Sequence, residues 1–471
     1  MNAPDHQAGS EVVQVPHVVK GTTITGGADL HRSGGLSFTT PALDLDTLVW
    51  PRGAPGPAFD VPVAQIIDLL VETGKALGRD ERGLLTEALA QMRIASPLDD
   101  GVLARCYEDL GVLFNGADMR AQIDNELGGA DVLDGWRETA TPWGAAKVRA
   151  FPPRLVHILA GNAPGVAAQS VIRGALVKGV NLLKLPSNDL FTATAILRTM
   201  AHLAPAHPTV RSFSAVYWRG GNETVESQLF RPQYFDKLVA WGGESAIRSA
   251  KQYAGPGFEL VSFDPKTSIS FIGREAFHDD RTLAEVAALA GQDATPFNQS
   301  ACVSSRIQFV EGDAGQVDRY CERLQAELGV ERRTCSIVGP QVPPALREEI
   351  EILRGLEPLY GVWGSYDGRG IVIRSDEPVD FHPDGKIVNV VPVADLADAV
   401  RFANVATQTV GVYPPGRKSD LRDRLASAGV QRVVSLGCAL GPAPGLPHDG
   451  FYPLQRLVRW VNDEGQTMPL N

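Results

Sequence analysis

Across residues 154–263 short apolar runs alternate with stretches of helical periodicity, and this alternation constrains the fold more than any other feature. Leu155-Val-His-Ile-Leu-Ala precedes a helical pattern over 166–178, Val180-Asn-Leu-Leu-Lys precedes one over 191–203, and Phe213-Ser-Ala-Val-Tyr-Trp precedes a short one over 224–230. Lys237-Leu-Val-Ala-Trp, a helical 245–253 and a last run at 258–263 complete the series. Parallel strands read as continuous apolar runs and need a crossover between neighbours, so this order predicts a doubly wound α/β sheet. Gly179 stands where a helix C-terminal glycine belongs and Asp189 where an N-cap belongs.

A second α/β series begins at Thr267-Ser-Ile-Ser-Phe-Ile. It continues through a helix at 283–290, Arg306-Ile-Gln-Phe-Val, a helix at 315–328 and a strand at 334–338. Gly370-Ile-Val-Ile-Arg, a strand at 386–393, a helix at 395–403, a strand at 409–413, a helix at 419–428 and Arg432-Val-Val-Ser-Leu follow, predicting a separate sheet domain. Upstream, the first fifty residues lack sustained periodicity and read as an irregular arm leading into helices at 61–77 and 79–94. Glu138-Thr-Ala-Thr and Ala145-Ala-Lys-Val-Arg, broken by Pro142, Trp143-Gly144 and Pro152-Pro153, read as a projecting hairpin. After Gly437 the tail holds Pro442, Pro444, Gly445 and Pro447, and reads as a loop followed by a terminal helix or strand that docks elsewhere. The expected divisions are 1–130, 131–153, 154–265, 266–437 and 438–471, about as many large units as 471 residues allow.

Lys and Arg number 44 against 55 Asp and Glu, a net charge of −11, which disfavours nucleic acid as a partner. No apolar run approaches the ~18 residues of a membrane helix. The five cysteines are an odd number without a C-x-x-C spacing, so neither a disulfide framework nor a zinc ribbon is expected, and no metal. The opening residues carry Asp5 and Glu11 and lack a basic, then apolar, leader; a cytoplasmic location is the expectation.

The sharpest chemical signal is Thr295-Pro-Phe-Asn-Gln-Ser-Ala-Cys302, a polar connection between a helix and a strand. The helix before it carries a capping-box spacing, Thr282-x-x-Glu285, and an apolar face of Leu283, Val286, Ala287 and Ala290, so the following loop emerges at a sheet edge. Cys302 reads equally as a nucleophile and as a small buried hydrophobe, whereas Cys106, Cys321, Cys335 and Cys438 sit in helix- or strand-like surroundings and read as hydrophobes. Leu159-Ala-Gly-Asn-Ala-Pro-Gly165 follows a strand and precedes a helix: it is either a tight turn or a backbone-approach site whose Asn amide donates to an oxyanion. Lys184-Leu-Pro-Ser187 and Trp241-Gly-Gly-Glu244 end later strands, where a lysine can hold a ribose or phosphate and glycine amides a pyrophosphate, or where both are solvated turns.

Gly161-Asn-Ala-Pro164, Lys184-Leu-Pro-Ser187, Trp241-Gly-Gly243, Lys266-Thr-Ser268 and Asn298-Gln-Ser-Ala-Cys302, in this order and at these intervals, resemble the aldehyde dehydrogenase superfamily. His448-Asp-Gly-Phe451 and the 456–460 stretch resemble its LuxC-like acyl-CoA reductase branch. The resemblance covers about residues 130 to 465. It implies a Rossmann-type cofactor domain, an α/β catalytic domain, and a β-hairpin arm that with the tail mediates a homodimer or homotetramer. It implies Cys302 as nucleophile and Asn162 with the Cys302 backbone amide as oxyanion donors. Gly161, Lys184, Ser187, Trp241, Gly242 and Gly243 would bind the cofactor.

Hydrolytic relatives carry a Glu-Leu-Gly-Gly-Lys stretch; with its lysine placed on Lys266, Ser262 falls at the position of the water-activating Glu. The missing base suits transfer of the acyl group to or from a thiol. NAD-selective relatives often place a Glu where Ser187 stands, so NADPH is expected over NADH. The expected reaction is reduction of an acyl-CoA, or an acyl group on a carrier protein, to the aldehyde with release of CoA. Two alternatives stay open: a hydrolytic dehydrogenase using Glu259 or Glu244 as base, and a cofactor-independent acyltransferase or thioesterase pairing Cys302 with His157 or His448. The acyl pocket is expected to be more apolar than charged.

Overall fold

The structure, a computed structural model, describes residues 12–33, 36–96, 98–142, 144–337, 342–441 and 443–464. Trp143, Val338 and Pro442, on which parts of the sequence reading rest, lie outside them. Five parallel strands form the heart of the first sheet, in the order Glu259–Phe263, Lys237–Trp241, Arg154–Ile158, Val180–Lys184 and Phe213–Val216. The chain leaves Arg154–Ile158 toward one side and later returns to pair on its other side, so the order reverses there. A crevice opens at the carboxyl ends of strands at such a reversal.

Helix Gly165–Leu176 crosses this sheet with Ala167, Ala168, Val171, Ile172, Ala175 and Leu176 buried, because helices Val63–Arg79 and Thr192–Leu203 cover its other side. Its end differs from expectation by one residue. Lys178, not Gly179, takes the left-handed conformation (φ 55°), while Gly179 donates its N–H to Gly174 and Lys178 to Ala175, the paired bonds of a Schellman motif. A lysine is tolerated there because its buried ammonium reaches Asp134 at 2.6 Å. Asp189 stands two residues before the N-cap, Phe191, yet its carboxylate accepts the Thr192 N–H as the next helix starts.

The N-terminal segment is more ordered than its sequence suggested. His17–Val19 and Thr22–Ile24 extend the first sheet as antiparallel strands, and Val13–Gln14, Asp29–Ser33 and Leu36–Thr40 form a three-stranded sheet. Strands of two to five residues are too short to display a period, which is why no pattern was visible.

The second sheet has seven strands, in the order Gly361–Gly364, Ile371–Arg374, Ile387–Val393, Ser305–Glu311, Thr267–Ile272, Thr407–Tyr413 and Arg432–Ser435, all parallel except at the first pair. Residues 334–337 form no strand; Cys335 makes only an isolated bridge with Arg332. Helix Pro344–Arg354 and the edge strand Gly361–Gly364 were not foreseen. Helix Asp280–Ala294 begins two residues before Thr282 and is capped by Asp279, whose carboxylate accepts the Thr282 N–H, so the Thr282-x-x-Glu285 spacing is not a capping box.

Arg137–Thr141 and Gly144–Phe151 form the hairpin, and the terminal strand Arg459–Glu464 completes it, pairing Trp460 with Ala150. Among the described residues no helix is long and apolar enough to cross a membrane.

Candidate active site

A cavity of about 1150 Å³ lies where the carboxyl edge of the first sheet faces the loop that carries Cys302. All eight residues singled out in the sequence line it: Gly161 and Asn162 from the turn after Arg154–Ile158, Lys184 and Ser187 from the next strand end, Trp241, Gly242 and Gly243 from a third, and Cys302 opposite. Lining by Leu159, Val166, Phe263 and Phe297 makes it predominantly apolar.

The Cys302 loop is strained and held from several sides. Phe297, Asn298 and Gln299 all have φ between 51° and 74°, the left-handed region that non-glycine residues avoid. The Gln299 amide compensates by bonding both the N–H and the carbonyl of Ile387, at 3.0 and 2.7 Å, as a strand neighbour would. Asn298 accepts the Ser336 N–H, Arg306 donates to the Gln299 carbonyl, and Ser304 donates to Pro296. Ser268, from the Lys266-Thr-Ser stretch, donates to the Cys302 carbonyl.

The Cys302 side chain opens to the cavity, yet protein crowds it enough that desolvation dominates and pushes its thiol up from the ordinary value. The negative charge of Asp449 adds to the rise; the Gln408 side chain and the N–H groups of Cys302 and Val303 hydrogen-bond to the sulfur and oppose it. At rest the sulfur is a thiol. The other cysteines match their reading less uniformly: Cys321 and Cys335 are buried, Cys106 borders the cavity, and Cys438 is exposed.

Lys184 is buried, and desolvation lowers its ammonium to about 8 against a partial restoring effect of Glu226. Glu226 accepts from Trp218 and from the Gly221 N–H, and the Lys184 Nζ lies 5.7 Å from the Trp218 ring centre. Trp241 stacks on Phe263 with ring centres 3.6 Å apart, and its buried Nε1 has no partner among the described residues. Gly242 has φ 153°, a conformation that suits glycine. A Cβ at Gly161 would come within 2.0 Å of Asn188 Oδ1, so the two turns can close on each other only with glycine there. Lys184, two consecutive glycines at a strand end and an unpartnered indole N–H on one wall form a donor set suited to a dinucleotide.

The carboxylates proposed as water-activating bases lie elsewhere. Glu259 starts its strand at the opposite edge of the sheet and pairs with Lys237 at 3.0 Å, while Phe263, four residues on, reaches the cavity. Glu244 is exposed and paired with Arg248. Ser262 does not line the cavity. His157 is buried in the sheet against Asn181 at 3.0 Å and does not line the cavity either. His448 does, but burial and the guanidinium groups of Arg173 and Arg432 hold it near 3, so it stays neutral.

Several lining residues were missed. Asp449 accepts from Gln408 Nε2 at 2.7 Å; among the described residues Asp264 has a buried Oδ1 without a partner, and Arg173, 8% exposed, lies under Trp241 and Phe263 with Nε and Nη1 unpaired. Arg219 lines the cavity beside Gly220, where a Cβ would lie 4.0 Å from the Lys184 Nζ. The only advance signal was the His448-Asp-Gly-Phe451 string, quoted for its resemblance and given no role.

Comparison with known proteins extends this picture. The acyl-CoA reductase (LuxC) family model matches residues 58–460. The long-chain acyl-protein thioester reductases of Aliivibrio fischeri and Vibrio harveyi are 31% and 30% identical, over 73% of this chain and 70% of each relative. A Mycobacterium tuberculosis aldehyde dehydrogenase complexed with NAD+ superposes with a TM-score of 0.69 at 15% identity, covering 98% of this chain and 100% of that one. An NADP-dependent glyceraldehyde-3-phosphate dehydrogenase from Bacillus halodurans gives 0.66 at 13% identity, over 95% and 98%. The structural likeness establishes an aldehyde-dehydrogenase-like α/β fold.

Proposed function

This chain belongs to the acyl-CoA reductase (LuxC) family, oxidoreductases acting on acyl thioesters, and from that premise we propose that it reduces an acyl-CoA or acyl-carrier-protein thioester to the aldehyde through an acyl group carried on Cys302. The observation that carries this reading is the convergence on one cavity of an accessible cysteine, an Asn amide and a dinucleotide-type wall, with Glu259 and Glu244 both outside it.

The Cys302 sulfur attacks the thioester carbonyl; the Asn162 amide and the Cys302 N–H stabilise the negative oxygen; the thiol of CoA or of the carrier departs. Lys184, Ser187 and Arg219 would hold the adenosine end of the cofactor, and Gly161, Trp241, Gly242 and Gly243 its remainder. Two cationic side chains and no carboxylate at position 187 favour the extra phosphate of NADPH, with NADH also accepted. The bound reduced nicotinamide supplies a hydride. The same two donors hold the oxygen again as the carbon–sulfur bond to Cys302 breaks and the aldehyde forms. Residues 154–265 act as the cofactor domain, 266–437 as the catalytic domain, and the hairpin with the terminal strand, where Trp460 is 45% exposed, as a contact between copies of the chain.

The test is NADPH oxidation against a panel of acyl-CoAs, with free CoA thiol followed in parallel. Matched cofactor oxidation and thiol release, both lost in Cys302→Ala, is the expected result. Thiol release without oxidation, or carboxylate formation from an aldehyde without CoA, overturns it.

A further inference from the structure

Thioester exchange at Cys302 needs a proton to leave one sulfur and reach another. Cys302 rests as a thiol, and an alkyl thiolate released near neutral pH takes up a proton. The residues expected to serve as base or acid are all unfit: Glu259 and Glu244 lie outside the cavity, His157 is in the sheet, and His448 is locked neutral.

Three carboxylates line the cavity among the described residues: Asp109, Asp264 and Asp449. Asp109 is tied to Arg333 at its other face. Asp449 is the one of the three whose charge and bonded neighbour both bear on the Cys302 thiol: its Oδ1 accepts from Gln408 Nε2 at 2.7 Å, Gln408 lines the same cavity, and Asp449 raises that thiol while Gln408 lowers it. The carboxylate is 5% exposed, so it is presented to the cavity and shielded from bulk water.

Its backbone is built for this presentation. His448 and Phe451 exchange both backbone hydrogen bonds, and the residues between them, Asp449 and Gly450, have φ of 52° and 84°, the signs of a type I′ turn. Asp tolerates the left-handed conformation, but turn chemistry explains only the backbone. An Asp serving the turn would bond its own loop; this one reaches across 41 residues to Gln408.

Resting on the thioester-reductase reading above, we infer that Asp449, oriented by Gln408, takes the proton from Cys302 as it attacks and delivers it to the departing thiolate. The cycle balances. The Cys302 S–H bond breaks and an Asp449 O–H bond forms as sulfur attacks; the Asp449 proton then passes to the sulfur of CoA or carrier as its carbon–sulfur bond breaks. The exchange consumes no net proton and returns Asp449 to the carboxylate. Reduction later frees Cys302 as thiolate, which takes one proton from the medium, the one the overall reaction consumes. Gln408 is a positioning residue.

Burial and the charge of Asp264 raise the Asp449 carboxyl above the ordinary range, while the Gln408 hydrogen bond, Lys266 and Arg173 pull it down. His448 on the same turn contributes no charge, and Arg432 faces both His448 and Cys302. The result is a proton acceptor closer in affinity to a thiol than a solvated carboxylate is.

The deciding experiment is single-turnover release of CoA from acyl-CoA without NADPH, across pH 4 to 10, in wild type, Asp449→Asn, Asp264→Asn and Gln408→Ala. Wild-type release, lost in Cys302→Ala, tests the parent reading; its absence removes both. In wild type the rate rises with ionisation of Asp449 and levels off. In Asp449→Asn it falls about 10²-fold near neutrality and instead climbs tenfold per pH unit as Cys302 ionises unaided, closing the gap at high pH. Asp264→Asn keeps the levelling shape, moved to lower pH because Asp264 no longer raises the Asp449 carboxyl, and Gln408→Ala is slowed but still levels off. A defect in Asp449→Asn that is the same at every pH marks a structural role and overturns the inference, as does a wild-type profile in that variant or a climbing, non-levelling profile in Asp264→Asn. Circular dichroism and Trp241 quenching by NADPH check folding; if Asp449→Asn fails to fold, Asp449→Glu must give a shifted but still levelling profile, and an unshifted one overturns the inference.

Discussion

Ser268 donates its hydroxyl hydrogen to the Cys302 carbonyl across 2.8 Å, and the same oxygen accepts the Thr409 N–H at 3.2 Å. One buried hydroxyl thus joins the starts of two neighbouring strands, Thr267–Ile272 and Thr407–Tyr413, to the loop that carries the thiol. The reactive loop is pinned by the sheet it borders.

Ser268→Ala leaves that carbonyl and the Thr409 N–H without this partner, at a cost of about 1–3 kcal/mol in stability. We expect kcat to fall about tenfold with the KM for acyl-CoA nearly unchanged, because the loop still forms but the sulfur is less well placed. Steady-state kinetics and thermal melts check this; an unchanged kcat would show that Gln299 and Arg306 suffice to hold the loop.

On the proposed mechanism, Asn162→Ala removes one of two oxyanion donors. The loss is about 3 kcal/mol of transition-state stabilisation, so turnover should drop roughly 10²-fold while NADPH binding, read by Trp241 fluorescence, persists.

Lys184 gives cofactor binding a pH signature. Burial lowers its ammonium to about 8, so the charge is present below that pH and disappears above it. NADPH affinity should therefore weaken as pH rises from 7 to 9.5, and NADH affinity should weaken less because it lacks the extra phosphate. Calorimetric titration of both cofactors measures the difference, and Lys184→Met should flatten the NADPH curve; parallel curves for the two cofactors would place the phosphate elsewhere.

Asp293, buried, accepts the Gly437 and Ala439 N–H groups at 2.8 and 2.9 Å and so ties the tail to helix Asp280–Ala294. Asn has one carbonyl for two donors, so Asp293→Asn should cost about 1–3 kcal/mol and speed hydrogen exchange at both amides. Burial raises this carboxyl to about 6 in the fold, above its unfolded value. The folded state therefore holds the proton more tightly, and stability from this group declines as pH rises to about 6. Urea unfolding should show a larger gap between wild type and variant at pH 5 than at pH 7.5.

The two sheets, the crossover helices and the cavity-lining turns were legible because their signals are local. A buried strand such as Val180–Lys184 must be apolar throughout, and turns such as Trp241-Gly-Gly243 announce close backbone approach by residue type alone. The left-handed Lys178 was illegible because Asp134, 44 residues upstream, makes a lysine acceptable where glycine is usual.

The sequence by itself determined which strand-end turns are built for close backbone approach and that Cys302 stands on a loop, since spacing and residue type are properties of the chain alone. Only the tertiary structure decided which acids and bases accompany that cysteine. Glu259 lies near Ser262 in sequence, but a parallel strand advances ~3.3 Å per residue and carries the two toward opposite edges of the sheet. Asp449 and Gln408, 147 and 106 residues beyond Cys302, reach its surroundings because the Thr407–Tyr413 strand pairs with Thr267–Ile272 in the second sheet and Gln408 bonds the 448–451 turn. Burial, which follows from that closure, raises the Cys302 thiol and the Asp449 carboxyl and lowers Lys184 and His448.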